Sequence, residues 1–199
     1  MKRILLSLSL IALIMNSAVA QTAKEVLDKC AATVTAKEGV QASFTMNSAQ
    51  YGSASGTIAV KGRMFHASTA IASMWFDGKT QWTYMKKNDE VNVTNPTEEQ
   101  QQALNPYNFI NLYKKGYKYS MTKTDAGYSV HLTSTGKARI SELFITVDKD
   151  SYQPKEVKLL QNKKWTTFTI SNLKQVQMDD SAFRFSSKDF PTAEVIDLR

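Results

Sequence analysis

The sequence predicts a fold that is mainly β with helices (α+β), built as a long, curved antiparallel meander that is open or barrel-like. Three observations predict it. Residues 22–37 carry apolar side chains at helical spacing, and the segments after Gly39 alternate apolar and polar side chains with a period of two. Turn residues such as Asp77-Gly78 separate these segments at hairpin spacing. Residues 95–115 interrupt the alternation with prolines, an acidic first turn and an apolar helical stripe.

Residues 1–20 have the features of a cleaved export signal. The basic pair Lys2-Arg3 precedes an apolar run that ends at Met15, and Ala18-Val19-Ala20 supplies the small-x-small site that signal peptidase reads. The run is shorter than the roughly 20 apolar residues that span a bilayer. We therefore predict a signal peptide over 1–20 and one soluble, exported domain over 21–199.

Residues 22–37 are predicted to form one amphipathic helix. Thr22 is a suitable N-cap, and Glu25, three residues later, completes a capping box. Cys30 falls on the apolar stripe of this helix, so we expect its thiol to be buried. As the only cysteine of the chain, Cys30 cannot form an internal disulfide, and it lies too far beyond the predicted cleavage site to carry a lipid anchor.

The alternating segments predict strands with one dry face and one wet face. The clearest examples are residues 40–47, 57–61, 117–122 and 128–133. Further strands are expected near 63–69, 71–77, 79–86, 89–94, 140–148, 154–161 and 164–174. In segments 71–77 and 140–148 both the odd-numbered and the even-numbered positions carry apolar side chains, so the sequence does not indicate which of the two sets faces inward.

The sequence offers little catalytic chemistry. His66 and His131 have no partner at metal-ligand spacing, and the chain has no nucleophile elbow or phosphate-binding loop. Asp148-Lys149-Asp150-Ser151 resembles the start of a calcium loop but lacks the later glycine and the closing glutamate, so a hairpin turn is expected there. We therefore expect no enzyme activity, no cofactor and no metal.

The formal net charge of +7 raises the question of a nucleic-acid partner. The lysines are scattered along the predicted wet strand faces, which is typical of a soluble sheet surface, and an export signal also argues against nucleic acid. Attraction to anionic membranes or to acidic partner surfaces fits the charge better.

Bulky apolar side chains are abundant in the strands and in the insert. They are compatible with an ordinary packed core. They are also compatible with a curved sheet that has only two short helical covers and encloses a lumen which its own side chains do not fill. The residues alone leave both alternatives open.

Several stretches resemble one known family in order. Residues 40–45 and 56–61 are similar to its first two strands, and Asp77-Gly78-Lys79-Thr80-Gln81-Trp82-Thr83-Tyr84 is close to its Asp-Gly-Lys-x-x-Trp-x-Tyr hairpin. Residues 143–148 and the ending from 183–185 through 195–197 also fit. With these stretches the chain resembles the periplasmic outer-membrane lipoprotein carrier proteins (LolA-like).

The resemblance implies an open antiparallel half-barrel whose hydrophobic concave face is covered by the N-terminal helix and a helical lid insert. It implies a monomeric periplasmic chaperone that takes acylated lipoproteins from an inner-membrane lipoprotein-releasing transporter and delivers them to the outer membrane, to an acceptor if one is present there. On this interpretation the candidate cavity residues are Phe44, Met46, Ile58, Val60, Phe65, Met74, Phe76, Trp82 and Tyr84. The candidate lid residues are Leu104, Phe109, Ile110, Leu112 and Tyr113.

One departure from the family pattern concerns the lid. Family members often carry Arg-Pro after the strand that corresponds to 56–61, and that arginine is thought to tie the lid to the barrel. Here Gly62 takes the arginine's place and Arg63 follows one position later. Because a one-residue slip moves a strand side chain to the other face, Arg63 is the candidate latch, with its role left open.

Three alternatives to the carrier remain. The first is a sensing module with the same half-barrel that responds to lipids or mislocalised lipoproteins. The second is a lipid or glycolipid transporter without protein cargo. The third is a hydrolase that acts on a bound lipid, which the lack of a recognisable nucleophile and base disfavours.

Overall fold

A single helix of three turns begins the described part of the fold. The computed structural model describes residues 21–97, 100, 109 and 111–199. Helix α1 spans Ala23–Val34, with Thr22 as N-cap. The Thr22 Oγ1 accepts a hydrogen bond from the Glu25 N–H at 3.2 Å, and the Thr22 N–H donates to the Glu25 carboxylate at 2.9 Å. This reciprocal pair satisfies donors that a helix N-terminus leaves free, so the predicted capping box is confirmed.

The strands form one open sheet. Its strands are β1 (Val40–Ser48), β2 (Gly52–Lys61), β3 (Met64–Thr69), β4 (Ala72–Phe76), β5 (Gln81–Met85), β6 (Glu90–Thr94), β7 (Tyr117–Thr124), β8 (Gly127–Ser134), β9 (Ile140–Val147), β10 (Pro154–Gln161), β11 (Lys164–Gln175) and β12 (Glu194–Asp197). Their spatial order is β12-β6-β5-β4-β3-β2-β1-β11-β10-β9-β8-β7. All neighbours pair antiparallel except β12, which runs parallel to β6. The predicted α+β half-barrel is confirmed.

The pairing register assigns each side chain to one of two faces, because residues directly opposite each other in a ladder share a face. Val60 of β2 lies opposite Val40 of β1 and opposite Phe65 of β3, and Phe65 in turn lies opposite Phe76 of β4. On the same face of β1, Met46 lies opposite Phe168 of β11. We call this the inner face, and the opposite one the outer face.

The inner face carries the main hydrophobic core. The apolar stripe of α1, including Leu27 and Cys30, belongs to one buried cluster with inner-face side chains of β8, β9 and β10. Leu132, Leu143 and Ile145 have no exposed surface there. Burying this stripe removes apolar surface from water, which is the dominant favourable term in folding.

The C-terminal segment covers part of the outer face. Trp75 lies there, and its ring centroid is 5.7 Å from that of Phe185 and 5.6 Å from that of Phe190. A short 3-10 helix, Asp180–Phe183, contacts β3 and buries Phe183 completely. The Lys61 ammonium holds this segment through the Asp180 carboxylate at 2.7 Å. This second, smaller apolar layer was not predicted from the sequence.

The insert is described only in part. A 3-10 helix spans Leu112–Lys114, and Phe109 and Asn111 are helical. The predicted signal peptide and most of the predicted insert, including Leu104 and Ile110, lie outside the described residues.

Candidate functional site

An apolar cavity of about 320 Å³ lies on the inner face, beside α1. Strands β1, β2, β3, β10 and β11 supply most of its wall, Val34 at the end of α1 closes one side, and Phe109 closes another. The wall consists of Val34, Val40, Ala42, Phe44, Met46, Tyr51, Ala54, Ile58, Val60, Ala67, Thr69, Phe109, Pro154, Val157, Leu159, Gln161, Thr166, Phe168, Ile170 and Leu173. A hollow with such a wall suits hydrocarbon.

Small residues on the cavity floor leave the space open. Ala42, Ala54 and Ala67 line it, and Gly56 lies directly opposite Phe44 in the ladder. A Cβ on Gly56 would come within 2.0 Å of the Ser68 carbonyl oxygen, so the close approach of β2 and β3 requires glycine. Protein interiors are normally filled to the density of organic crystals, and short side chains on a curved sheet are one way to avoid that.

The described part of the insert covers this hollow. Phe109 is only 6% exposed, and its ring centroid is 6.3 Å from that of Phe168 on the cavity wall. Tyr113 is buried, and its hydroxyl donates a 2.5 Å hydrogen bond to the Asp28 carboxylate on α1. The segment is therefore joined both to the cavity wall and to the helix.

The Asp28 carboxylate is held in its charged form at this junction. Lys24 and then Tyr113 donate hydrogen bonds to it, and they lower the pKa of Asp28 below its ordinary value. Burial, followed by the hydrogen bond to Asp28, raises the pKa of Tyr113. On the same helix, burial raises the pKa of the Cys30 thiol to about 12, so the thiol is protonated and unreactive at neutral pH.

One end of the cavity is polar. Thr69, Gln161 and Thr166 lie near the ends of β3 and β10 and the start of β11, which the register brings to the same edge of the sheet. The Thr166 hydroxyl is hydrogen-bonded to that of Ser48 at 2.8 Å. The Gln161 Nε2 is buried and has no hydrogen-bond partner within the described residues. A buried donor without a partner is costly, so a ligand acceptor at this end would be favoured.

Four of the predicted cavity residues lie on the wall: Phe44, Met46, Ile58 and Val60. Phe65, Met74 and Phe76 share the inner face through the ladder of β2, β3 and β4 but are outside the group that forms the wall. Phe65 and Phe76 are buried in the main core with their ring centroids 5.7 Å apart.

The expectation that Trp82 and Tyr84 face the cavity is corrected by the register. Trp82 lies opposite Trp75, and Tyr84 lies opposite Ser73, both on the outer face. The Tyr84 ring packs against Phe190, with centroids 4.7 Å apart. Their large side chains complete the layer under the C-terminal segment, which the alternation within one strand cannot distinguish from a cavity wall.

The remaining predicted residues divide between the insert and a turn. Phe109 lies on the cavity wall, Tyr113 joins α1, and the partly buried Leu112 packs against the main core. Arg63 is exposed in the turn between β2 and β3, not in a strand. Its role as a latch stays a prediction.

The prediction missed the wall that β10 and β11 supply. Val157, Leu159, Phe168 and Ile170 form much of it. Their alternation was visible, but Trp165 and Leu160 occupy the other parity, so periodicity alone did not indicate which set faces inward. Pairing with β1 decides it, because Phe168 lies opposite Met46.

The sequence of this chain matches a known protein family. Residues 13–163 match the family described as "Outer membrane lipoprotein carrier protein LolA". The chain belongs to this family. The resemblance drawn from the sequence is thereby confirmed, and membership supports a role in binding lipoproteins or lipids, since LolA-like proteins are binding or chaperone proteins rather than enzymes. A search of curated proteins finds no match.

One of the solved structures similar to this chain shares its fold at low sequence identity. An uncharacterized conserved protein from Thermus thermophilus has a TM-score of 0.59 and 12% identity, with 89% of this chain and 99% of that chain covered. A LolA superfamily protein from Nitrosomonas europaea has a TM-score of 0.46 and 11% identity, with 83% and 99% covered.

The described residues also bear on a membrane span and on a metal site. None of the helices in this part of the chain is both long enough and apolar enough to cross a bilayer. Within the same residues, no three His, Cys, Asp or Glu side chains are grouped so that they could hold a metal ion.

Proposed function

We propose that this protein is a periplasmic chaperone that shields the acyl chains of lipoproteins and carries them from the inner to the outer membrane. The observation that carries the proposal is the apolar hollow on the inner face, which the chain's own side chains leave unfilled beneath Phe109. Membership of a periplasmic family of lipoprotein carriers and the predicted export signal support the compartment and the cargo.

The cavity answers a physical problem of acylated cargo. Each buried methylene gains about 0.8 kcal/mol, so a C16 chain is held in a membrane by on the order of 12 kcal/mol. A carrier must offset most of this free energy without binding irreversibly. An apolar wall does so because hydrophobic contact is non-directional and adapts to different chains. Met46 and Phe168 supply bulky side chains that can repack around a guest.

The polar end sets the direction of the guest. An acyl chain with its methyl end near Val34 and Leu173 would bring its ester carbonyl to the Gln161 Nε2. The carbonyl oxygen would accept the hydrogen bond that this buried donor lacks within the described residues. The remainder of the cargo would then leave the cavity beside Tyr51 and Thr69.

The volume also sharpens the question of cargo. The three acyl chains of a triacylated lipoprotein, at roughly 30 Å³ for each methylene, exceed a cavity of about 320 Å³ several times over. A multiply acylated lipoprotein therefore requires the cover at Phe109 and Tyr113 to move. The same volume favours the alternative, a lipid- or glycolipid-binding or lipoprotein-sensing module that accepts a single chain.

The test is extraction of cargo. The chain from Gln21 to Arg199 is incubated with membranes that contain a triacylated lipoprotein, and the soluble fraction is analysed for a 1:1 complex. We expect the complex with the native chain, and a loss of about tenfold or more with Ala67→Phe, which fills the cavity floor. Ala59→Phe, on the outer face of the adjacent strand, is the matched control and should extract normally.

Three outcomes of this test count against the carrier function. Failure with several native lipoproteins does so directly. Recovery of a single-chain lipid by mass spectrometry, together with that failure, favours the lipid-binding alternative. Turnover of the bound lipid into products would indicate an enzyme.

A further inference from the structure

The turns at one edge of the sheet combine exposed apolar tips with lysines. In an antiparallel meander, successive turns alternate between two edges. The turns 49–51, 70–71, 86–89 and 162–163 therefore share one edge, which we call the hairpin edge. The polar end of the cavity lies at this edge as well, since Gln161 is the last residue of β10.

Two large apolar side chains protrude from the hairpin edge. Tyr51 is 62% exposed and Ile71 is 66% exposed. Tyr51 also lines the cavity, so the hydrocarbon wall is continuous with the tip of the first hairpin. Single exposed apolar residues are common on soluble proteins. Two of them on hairpin tips beside the mouth of an apolar cavity make a more specific arrangement.

Lysines accompany both tips. The Lys86 N–H donates to the Ile71 carbonyl at 3.0 Å, which fixes the β5–β6 turn beside Ile71 and places Lys87 next to it. The Ala49 N–H donates to the Trp165 carbonyl at 3.1 Å, which fixes the Tyr51 turn beside the hairpin that carries Lys163 and Lys164. Lys87, Lys163 and Lys164 are exposed.

The backbone conformation at Lys163 places this residue at the tip of its hairpin. Its φ is 60°, in the left-handed region that favours glycine. Together with Asn162, whose φ is 51°, Lys163 forms the two-residue turn between β10 and β11, which places the Lys163 side chain at the tip of the hairpin. Asp89 accepts a hydrogen bond from the Tyr84 hydroxyl at 2.9 Å, and Glu90 and Glu194 lie opposite each other beside it. These acidic side chains lie at β6 and β12, away from Lys163 and Lys164 at the β10–β11 turn.

We propose that the hairpin edge docks on the surface of an anionic phospholipid membrane, with Tyr51 and Ile71 entering the interface and the lysines contacting lipid phosphates. Lysines near an anionic leaflet each strengthen binding roughly fivefold, and apolar tips between them add to this. The membrane is the source of hydrocarbon for the cavity, and docking at this edge brings the cavity mouth to it. The inference rests on these residues and stands whether the guest is a lipoprotein or a single lipid.

Vesicle binding tests the docking. The chain from Gln21, which holds every element that the structure describes, is sedimented with vesicles of phosphatidylcholine alone or of phosphatidylcholine with phosphatidylglycerol. We expect binding to the anionic vesicles only, weakening as salt screens the charges. The double variant Lys87→Glu/Lys163→Glu should bind at least roughly 25-fold more weakly, from two lysines at fivefold each.

Matched controls separate the edge from net charge and from general hydrophobicity. Lys79→Glu/Lys149→Glu changes the charge equally in turns at the opposite edge and should bind like the native chain. Ile71→Ser should weaken binding, whereas Leu198→Ser, which removes a side chain that is 61% exposed elsewhere, should not. Circular dichroism confirms that each variant is folded.

Three results would overturn the inference. Equal losses in the two lysine variants would show that net charge alone attracts the vesicles. Unchanged binding in both Lys87→Glu/Lys163→Glu and Ile71→Ser would show that the hairpin edge does not contact the vesicle surface. Absence of binding to either kind of vesicle would contradict membrane docking and would favour an acidic protein surface as the partner of the hairpin edge. Extraction of lipoprotein by a variant that no longer docks would separate this inference from the proposed carrier function.

Discussion

The two halves of the inner face are made of similar alternating strands, but side chains fill one half and leave a cavity in the other. Under α1, the inner side chains of β8 and β9 have no exposed surface, as at Val130 and Leu143. Beside α1, equally apolar side chains such as Ile58 and Ile170 remain partly exposed around a cavity. One half of a single sheet is a packed core, and the other is an unfilled container.

Cover and side-chain size together produce the difference. Helix α1 has 12 residues and is about 18 Å long, too short to cover a sheet of this width. The packed half offers it Val, Leu and Ile, whereas the floor of the other half contains Ala42, Ala54 and Ala67. A carrier needs both: a firm core that keeps the strands in register and a hollow that ligands can enter without unfolding it.

The largest expected effect compares one substitution in the two halves. Ile145→Ala, at a fully buried position, should lower the free energy of unfolding by about 3 kcal/mol, because it leaves a cavity in a packed core. Ile58→Ala, on the existing cavity wall, should cost only about 1 kcal/mol. Urea denaturation measures both. Equal losses would mean that the two halves are packed alike.

An intermediate effect is expected when bulk is added. Ala31→Phe on α1 forces a ring into the packed half and should destabilise the protein by about 1–3 kcal/mol. Ala67→Phe places the same ring over the cavity and should change stability by less than about 1 kcal/mol. Thermal unfolding with the two variants side by side checks this. A larger loss for Ala67→Phe than for Ala31→Phe would contradict the comparison.

The smallest effect concerns the junction between the halves. Tyr113→Phe removes the hydrogen bond to Asp28 and should cost about 1 kcal/mol at neutral pH. It should also loosen the cover and raise binding of a hydrophobic dye. Tyr119→Phe, at a more exposed ring in contact with Tyr113, is the control and should change dye binding less. Unchanged dye binding by Tyr113→Phe would show that the hydrogen bond to Asp28 does not keep the cavity covered.

Acid should weaken the same junction. The native pKa of Asp28 lies below its ordinary value of 3.8, so its stabilising contribution is present above that pH. It is lost as the pH falls through the lowered native value. The stability difference between the native chain and Tyr113→Phe should therefore shrink below about pH 4. A difference that persists to strong acid would assign it to packing and not to the charged hydrogen bond.

Much of the fold could be predicted from local patterns. The capping box at Thr22, the burial of Cys30 and the hairpin at Asp77-Gly78 follow from rules that act over a few residues. The strands formed close to the predicted ranges for the same reason, because the alternation of a strand with one buried face is present in its own sequence.

The cavity could be predicted only in part. Phe44 and Ile58 were placed correctly on the inner face because their strands alternate cleanly. Trp82 and Tyr84 were assigned to the wrong face because the apolar side of β5 packs under the C-terminal segment on the outer face, and alternation within the strand does not distinguish this from a cavity wall. Phe190, which packs against Tyr84 and against Trp75 opposite Trp82, lies about a hundred residues later in the chain, beyond the reach of any local pattern.

The sequence by itself determined where the helix and the strands form, which side chains alternate and that the chain resembles a lipoprotein carrier. Only the tertiary structure decided which parity faces inward on the doubly apolar strands, that the C-terminal segment occupies the outer face, and that lysines from separate turns meet beside the cavity mouth. The physical reason is the distance along the chain over which each kind of interaction acts. Caps, turns and alternation are set by neighbours in the chain, whereas a face, a hollow and a charged edge arise from strands that pair across long separations.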